Sequence, residues 1–137
     1  MIKKNLNCHK ISIPRVHKEN GSLVVVEKDV IPFTIKRIYY LYDVPSDSSR
    51  GGHAHKLQES IVIALSGSFD VIVDNGKEGQ ERIMLNKPNQ GLYIPTMIWR
   101  EIENFSSGAV CLVLASTEYD ENEYIRNYND FISIKGS

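Results

Sequence analysis

Short apolar segments, each bounded by turn formers, recur along most of this chain, and no longer apolar pattern competes with them. They fall at residues 23–27, 34–42, 60–65, 69–73, 82–85, 91–94, 100–102 and 109–115. Segment 34–42 mixes β-branched and aromatic residues. Segment 60–65 is continuously apolar, as expected of a strand covered on both faces. Segment 69–73 alternates and runs into Asn75-Gly76, a pair that favours a hairpin turn. Strands this short, at such regular spacing, predict an all-β sandwich or barrel. The tail departs from the pattern. Asp120 and Glu123 have the spacing of a helix N-cap, and Tyr124, Tyr128 and Phe131 follow at helical intervals. One short C-terminal helix is expected there, packing its aromatics on the barrel or on a partner subunit.

The chain's 137 residues suit one domain spanning 1–137, and a hydrophobic share of 42% is enough for one core. The net charge of -1 gives no general attraction to nucleic acid or to an anionic membrane. Residues 1–10 are charged without a following apolar stretch, so no signal peptide is expected. No apolar run is long enough to span a bilayer, and a cytoplasmic location is expected. Cys8 and Cys111 form no CxxC pair and are expected to be free thiols. The turn-rich segment 45–52 is too short to divide domains and reads as a loop.

Residues Gly51-Gly52-His53-Ala54-His55-Lys56-Leu57-Gln58-Glu59 carry the chemistry. On a strand, residues two apart face the same way, so His53 and His55 aim both imidazoles into one space. A Gly-led H-x-H followed by Glu59 and Gly67 is similar to the first signature of the cupin superfamily, with the Glu-to-Gly gap one residue longer. The second signature resembles residues 91–104. Pro95 and Asn104 match, Met97 stands where Gly is expected, and Arg100 stands where the third metal-binding histidine is expected. A guanidinium is permanently cationic and cannot ligate a cation. A metal on His53, His55 and Glu59 is therefore the lesser reading. Beside the histidines, Arg100 disfavours the imidazolium, keeping a base neutral, and suits an enolate.

The chain as a whole resembles the thymidine-diphosphate-4-keto-6-deoxyglucose 3,4-ketoisomerases, the metal-free cupin group described as WxcM-like. The resemblance rests on Gly21-Ser22-Leu23, Ile35-Lys36-Arg37-Ile38-Tyr39-Tyr40, Arg50-Gly51-Gly52-His53-Ala54-His55-Lys56, Gly91-Leu92-Tyr93 and Trp99. It continues through Val113-Leu114-Ala115-Ser116 and Tyr124-Ile125-Arg126-Asn127-Tyr128. It implies a cupin jelly roll, a catalytic pair His53 and His55, no cofactor and a homodimer. The substrate would be a dTDP-linked 4-keto-6-deoxyhexose, with the ketone moved to C3 through an enediolate. Arg100, Arg37 or Tyr39 would stabilise the oxyanion. Tyr93 and Trp99 would exclude water. Arg50 and Arg37, with Lys56 and Lys36 as weaker choices, would meet the diphosphate. The family varies with product at the positions of Asn20 and Arg100: arginine at the latter goes with a gluco and histidine with a galacto product, so Arg100 favours gluco, while Asn20 matches neither pattern. The product would pass to a pyridoxal-phosphate aminotransferase and then an acyltransferase, toward a 3-amino-3,6-dideoxy sugar of a bacterial surface polysaccharide.

Three rivals stand beside this reading: a dTDP-sugar 3,5-epimerase, a metal-dependent cupin oxygenase, and a non-catalytic sugar-nucleotide-binding cupin. His9 and His17 have no partner pattern and read as surface groups. Glu118, Asp120, Glu121 and Glu123 read as a helix start rather than a catalytic carboxylate set.

Overall fold

The computed structural model describes residues 7–136; residues 1–6, which carry much of the charged N-terminal stretch, and Ser137 lie outside that description. Twelve strands in the described residues build two five-stranded antiparallel sheets and one hairpin. They are β1 (His9–Ser12), β2 (Arg15–Lys18), β3 (Gly21–Val24), β4 (Arg37–Leu41), β5 (Arg50–His55) and β6 (Ser60–Ser66). The rest are β7 (Phe69–Asp74), β8 (Gln80–Leu85), β9 (Gln90–Ile94), β10 (Trp99–Glu103), β11 (Val110–Ala115) and β12 (Tyr124–Ile125). One helix, α1 (Tyr128–Gly136), closes the chain. The first sheet runs β1-β9-β6-β11-β4, the second β12-β5-β10-β7-β8, and β2 pairs with β3.

Side-chain alternation explains the layering. Along β7, Phe69, Val71 and Val73 point between the sheets, where they meet Val62, Leu92, Ile94, Ile102 and Val113. Burying an aliphatic or aromatic side chain of this size contributes ~1.5–3 kcal/mol. β6 lies at the centre of the first sheet and is covered on both faces: Val62 and Ala64 face the interior, while Ile61 and Ile63 face outward against Ile13, Ile31 and Leu114. The segment between β3 and β4 covers that outer face with Val26, Val30, Phe33 and Ile35. The outer face of the second sheet is covered by α1, whose Phe131 packs with Ala54, Trp99 and Ile125.

Three local expectations are corrected. The strand expected at 23–27 is β3, which ends at Val24; a 3-10 turn at Lys28–Val30 follows, entered through Lys28 in the left-handed region (φ 52°). The expected loop at 45–52 ends sooner, because Arg50, Gly51 and Gly52 already belong to β5. A bulge opposite β10 sits there, and Gly51 supplies its positive φ of 84°. The helix expected from Asp120 is only a 3-10 turn, Glu121–Glu123, in which the Asp120 carboxylate accepts from the Asn122 N–H. Sheet pairing of Tyr124 and Ile125 with His55 and Ala54 takes the next backbone groups. The helix starts at Tyr128, with Asn127 Oδ1 accepting from the Asp130 N–H at 3.0 Å.

Candidate active site

Strand parity and one bulge bring the polar groups together inside one end of the sandwich. His53 and His55 project inward from β5. Arg100 of β10 is the cross-strand partner of His53. Arg37 and Tyr39 reach in from β4 on the opposite sheet, and β6 contributes Ser60. Tyr124, on β12, pairs with His55 and lays its ring against both imidazoles, with centroids 5.1 Å from His53 and 4.4 Å from His55. The turn at Pro95–Ile98 shapes this end. Met97 holds φ 60°, the conformation usually taken by glycine, and its N–H donates to the His55 carbonyl at 2.7 Å.

The two imidazoles lie edge to face, with centroids 4.7 Å apart and Nε2 atoms 3.0 Å apart. His55 is fully buried, whereas His53 is only partly so. Behind them the His55 Nδ1 lies 2.5 Å from Glu123 Oε1. A second network spans the two sheets. Arg37 Nη2 donates to Gln58 Oε1 at 2.8 Å and to the Tyr124 hydroxyl at 3.0 Å. Gln58 Nε2 and Arg100 Nη1 both donate to Ser60 Oγ, at 2.9 and 3.1 Å. Arg100 is 3% exposed and forms no ion pair among the described residues; its Nε and that of Arg37 are buried without an acceptor.

These surroundings set the protonation states. Burial, then the Arg100 charge, pulls the His53 pKa down to about 3. The same two causes, in the same order, depress His55 further. Both rings are therefore neutral near pH 7. Burial raises the Tyr39 pKa, with Arg100 opposing it, and burial lowers that of Arg100, which nonetheless stays charged at neutral pH. The pocket thus offers two neutral imidazoles and two guanidinium groups, a set suited to moving a proton next to a developing negative charge. Among the described residues no three His, Cys, Asp or Glu side chains converge as a metal ligand set, and the Glu59 carboxylate accepts instead from the Tyr93 hydroxyl at 2.6 Å.

Of the residues singled out in the sequence, His53, His55, Arg37, Tyr39 and Arg100 share this pocket. Four do not. Tyr93 lies on the outer face of the first sheet, beside the His9 ring. Trp99 follows the opposite parity to Arg100 and packs under α1, its indole N–H donating to Glu101 at 3.0 Å. Lys56 is exposed and lines a separate cleft of about 380 Å³ with Tyr124, Arg126 and Asp130; neither histidine borders it. Arg50 is exposed at the start of β5. The structure adds Glu123, Tyr124, Gln58 and Ser60. Glu123 corrects the reading of 118–123 as a helix start, for its side chain is 4% exposed and bonded to His55. Its residue type and its place in an acidic run gave no sign of this, because the contact is made across 68 residues of chain.

Two antiparallel sheets closed around a histidine-lined polar pocket define a cupin-type jelly roll. The chain belongs to the FdtA family, described as WxcM-like, C-terminal, whose family model matches residues 6–136. It is 45% identical over 122 residues to the TDP-4-oxo-6-deoxy-alpha-D-glucose-3,4-oxoisomerase of Aneurinibacillus thermoaerophilus, covering 88% of this chain and 87% of that one. A 3,4-ketoisomerase from Helicobacter canadensis superposes with a TM-score of 0.93 at 42% identity, covering 97% of this chain and 100% of that one. The 3,4-ketoisomerase QdtA of Thermoanaerobacterium thermosaccharolyticum, solved as a histidine-to-asparagine variant with TDP-4-keto-6-deoxyglucose, superposes with a TM-score of 0.91 at 39% identity. The match covers 94% of each chain. A dTDP-4-dehydrorhamnose 3,5-epimerase from Bacillus anthracis is 12% identical with a TM-score of 0.77, which shows a common fold alone.

Proposed function

We propose that this chain is a TDP-sugar 3,4-ketoisomerase acting on TDP-4-keto-6-deoxyglucose. Its family and its relatives' activity support the reaction class. The observation that carries the mechanism is the pair of neutral imidazoles, 3.0 Å apart, beside a buried arginine that forms no ion pair among the described residues. The C4 carbonyl acidifies the C3 hydrogen. His53, the less buried of the pair, takes that proton, and the C3–H electron pair becomes the C3–C4 double bond of an enediolate. Arg100, Arg37 and Tyr39 stabilise the charge on oxygen, and the O3 hydroxyl proton passes to O4. Protonation of C4 leaves a hydroxyl there and a carbonyl at C3. No electron leaves the sugar, so the balance needs no cofactor.

Within this reading the product is gluco rather than galacto, on the family pattern that puts arginine rather than histidine at the position of Arg100. The sugar would then suit a pyridoxal-phosphate aminotransferase and an acyltransferase, on the way to a 3-amino-3,6-dideoxy sugar of a surface polysaccharide. A cytoplasmic location and a homodimer are part of the same reading. For the dimer, Ile38 and Tyr40 on β4 and Tyr42 just beyond it expose large apolar surface, and Tyr40 is 60% exposed.

A panel of variants tests the assignment. His53→Asn and His55→Asn are each expected to lower turnover by roughly 10²–10⁴-fold with the fold retained, the range for removing a general base. Near-normal rates in both would contradict the mechanism. Arg100→His is expected to change the C4 stereochemical ratio; identical products at identical rates would remove Arg100 from the site.

A further inference from the structure

Glu123 reaches the site from a different element than the histidines, and it is held at both ends. Its backbone N–H donates to the Asp120 carbonyl at 3.2 Å, and its carbonyl accepts from the Lys56 N–H at 2.8 Å. Its side chain meets two groups: Oε1 faces His55 Nδ1 at 2.5 Å, and Oε2 accepts from the Leu57 N–H at 3.3 Å. A carboxylate oxygen accepts, so the ring nitrogen it faces carries the hydrogen. His55 is then the Nδ1–H tautomer, with its lone pair on Nε2. That lone pair faces His53 Nε2 at 3.0 Å, so the hydrogen between the rings belongs to His53. The remaining lone pair of the chain therefore lies on His53 Nδ1.

We propose that Glu123 is a positioning residue that fixes the His55 tautomer and so sets the direction of a Glu123–His55–His53 proton relay, with His53 Nδ1 as its substrate-facing end. This rests on the ketoisomerase reading. A proton taken by Nδ1 lets the Nε2 hydrogen of His53 pass to His55 Nε2. The resulting cation sits against the Glu123 carboxylate, and the reverse transfer returns a proton to the sugar.

Glu123→Gln keeps the shape and reverses the logic. The Leu57 N–H keeps the amide oxygen, the NH₂ turns to His55 Nδ1, and His55 becomes the Nε2–H tautomer, opposed to the His53 hydrogen. The expected result is a fall in kcat of roughly 10–100-fold, with KM changed by less than about threefold. Long-range proton–nitrogen NMR of ring-labelled protein should show His55 protonated on Nδ1 in the wild type and on Nε2 in the variant. An Nε2–H His55 in the wild type would overturn the proposal whether or not the variant folds. So would a variant with unchanged kcat and tautomer. The tautomer is read without substrate, so failure of the ketoisomerase reading, seen as no ketone migration by the wild type, is distinguished from failure of the Glu123 assignment.

Discussion

Burial keeps His53 and His55 uncharged, and that has a cost in acid. The folded-state pKa of His53 is about 3, against about 6.5 for the unfolded residue. Between these values the unfolded chain binds more protons, so stability is full above about pH 6.5 and is lost as the pH falls toward 3. His55 shifts in the same direction. The melting temperature should therefore drop between pH 7 and pH 4, and His53→Asn should flatten that drop. A flat wild-type profile, or the same slope in the variant, would show that the imidazoles are not buried as described. A bound anion would shield Arg100 and ease the same penalty, for Arg100 is the second cause of the His53 shift.

At the scale of elements, α1 holds the outer face of the histidine strand. Phe131 is fully buried against Trp99 and Ala54, and the Tyr128 hydroxyl donates to Asp74 Oδ2 at 2.6 Å. Phe131→Ala should cost about 3–5 kcal/mol in a denaturant titration; a loss under about 1 kcal/mol would mean that the helix is not docked in solution. The strands were legible because their signal is local. Alternation and turn residues located β4, β6, β7, β9 and β11 within a few positions, and H-x-H on one strand placed both imidazoles on one face. Two kinds of feature were not legible. Tyr124 has helical spacing to Tyr128, yet an open edge of β5 claims its backbone, and only the folded sheet supplies that edge. Trp99 and Arg100 are adjacent in sequence but face opposite sides of β10, so a pocket role for both conflicts with strand parity. Glu123 and Gln58 join the site through contacts between elements, which no short window of sequence contains.

For the whole molecule, the two sheets act as the rigid walls of a pocket whose polar groups come from both: Arg37 and Ser60 from one, His53 and Arg100 from the other. Ser60 and Gln58 link the two guanidinium groups: the buried Arg100 donates across the gap to Ser60, which also accepts from Gln58, and Gln58 accepts from Arg37. The sandwich leaves apolar residues of β4 on the outside; sedimentation at micromolar protein should give a dimer, and a monomer would leave Tyr40 and Ile38 unexplained. On the ketoisomerase reading the chain's own imidazoles transfer the proton between C3 and C4. The most direct test follows chelator-treated protein with TDP-4-keto-6-deoxyglucose in heavy water by proton NMR. A 3-keto product carrying deuterium at C4 is the predicted result. Deuterium at C5 without ketone migration, or activity that is lost on chelation and returns with metal, would contradict it.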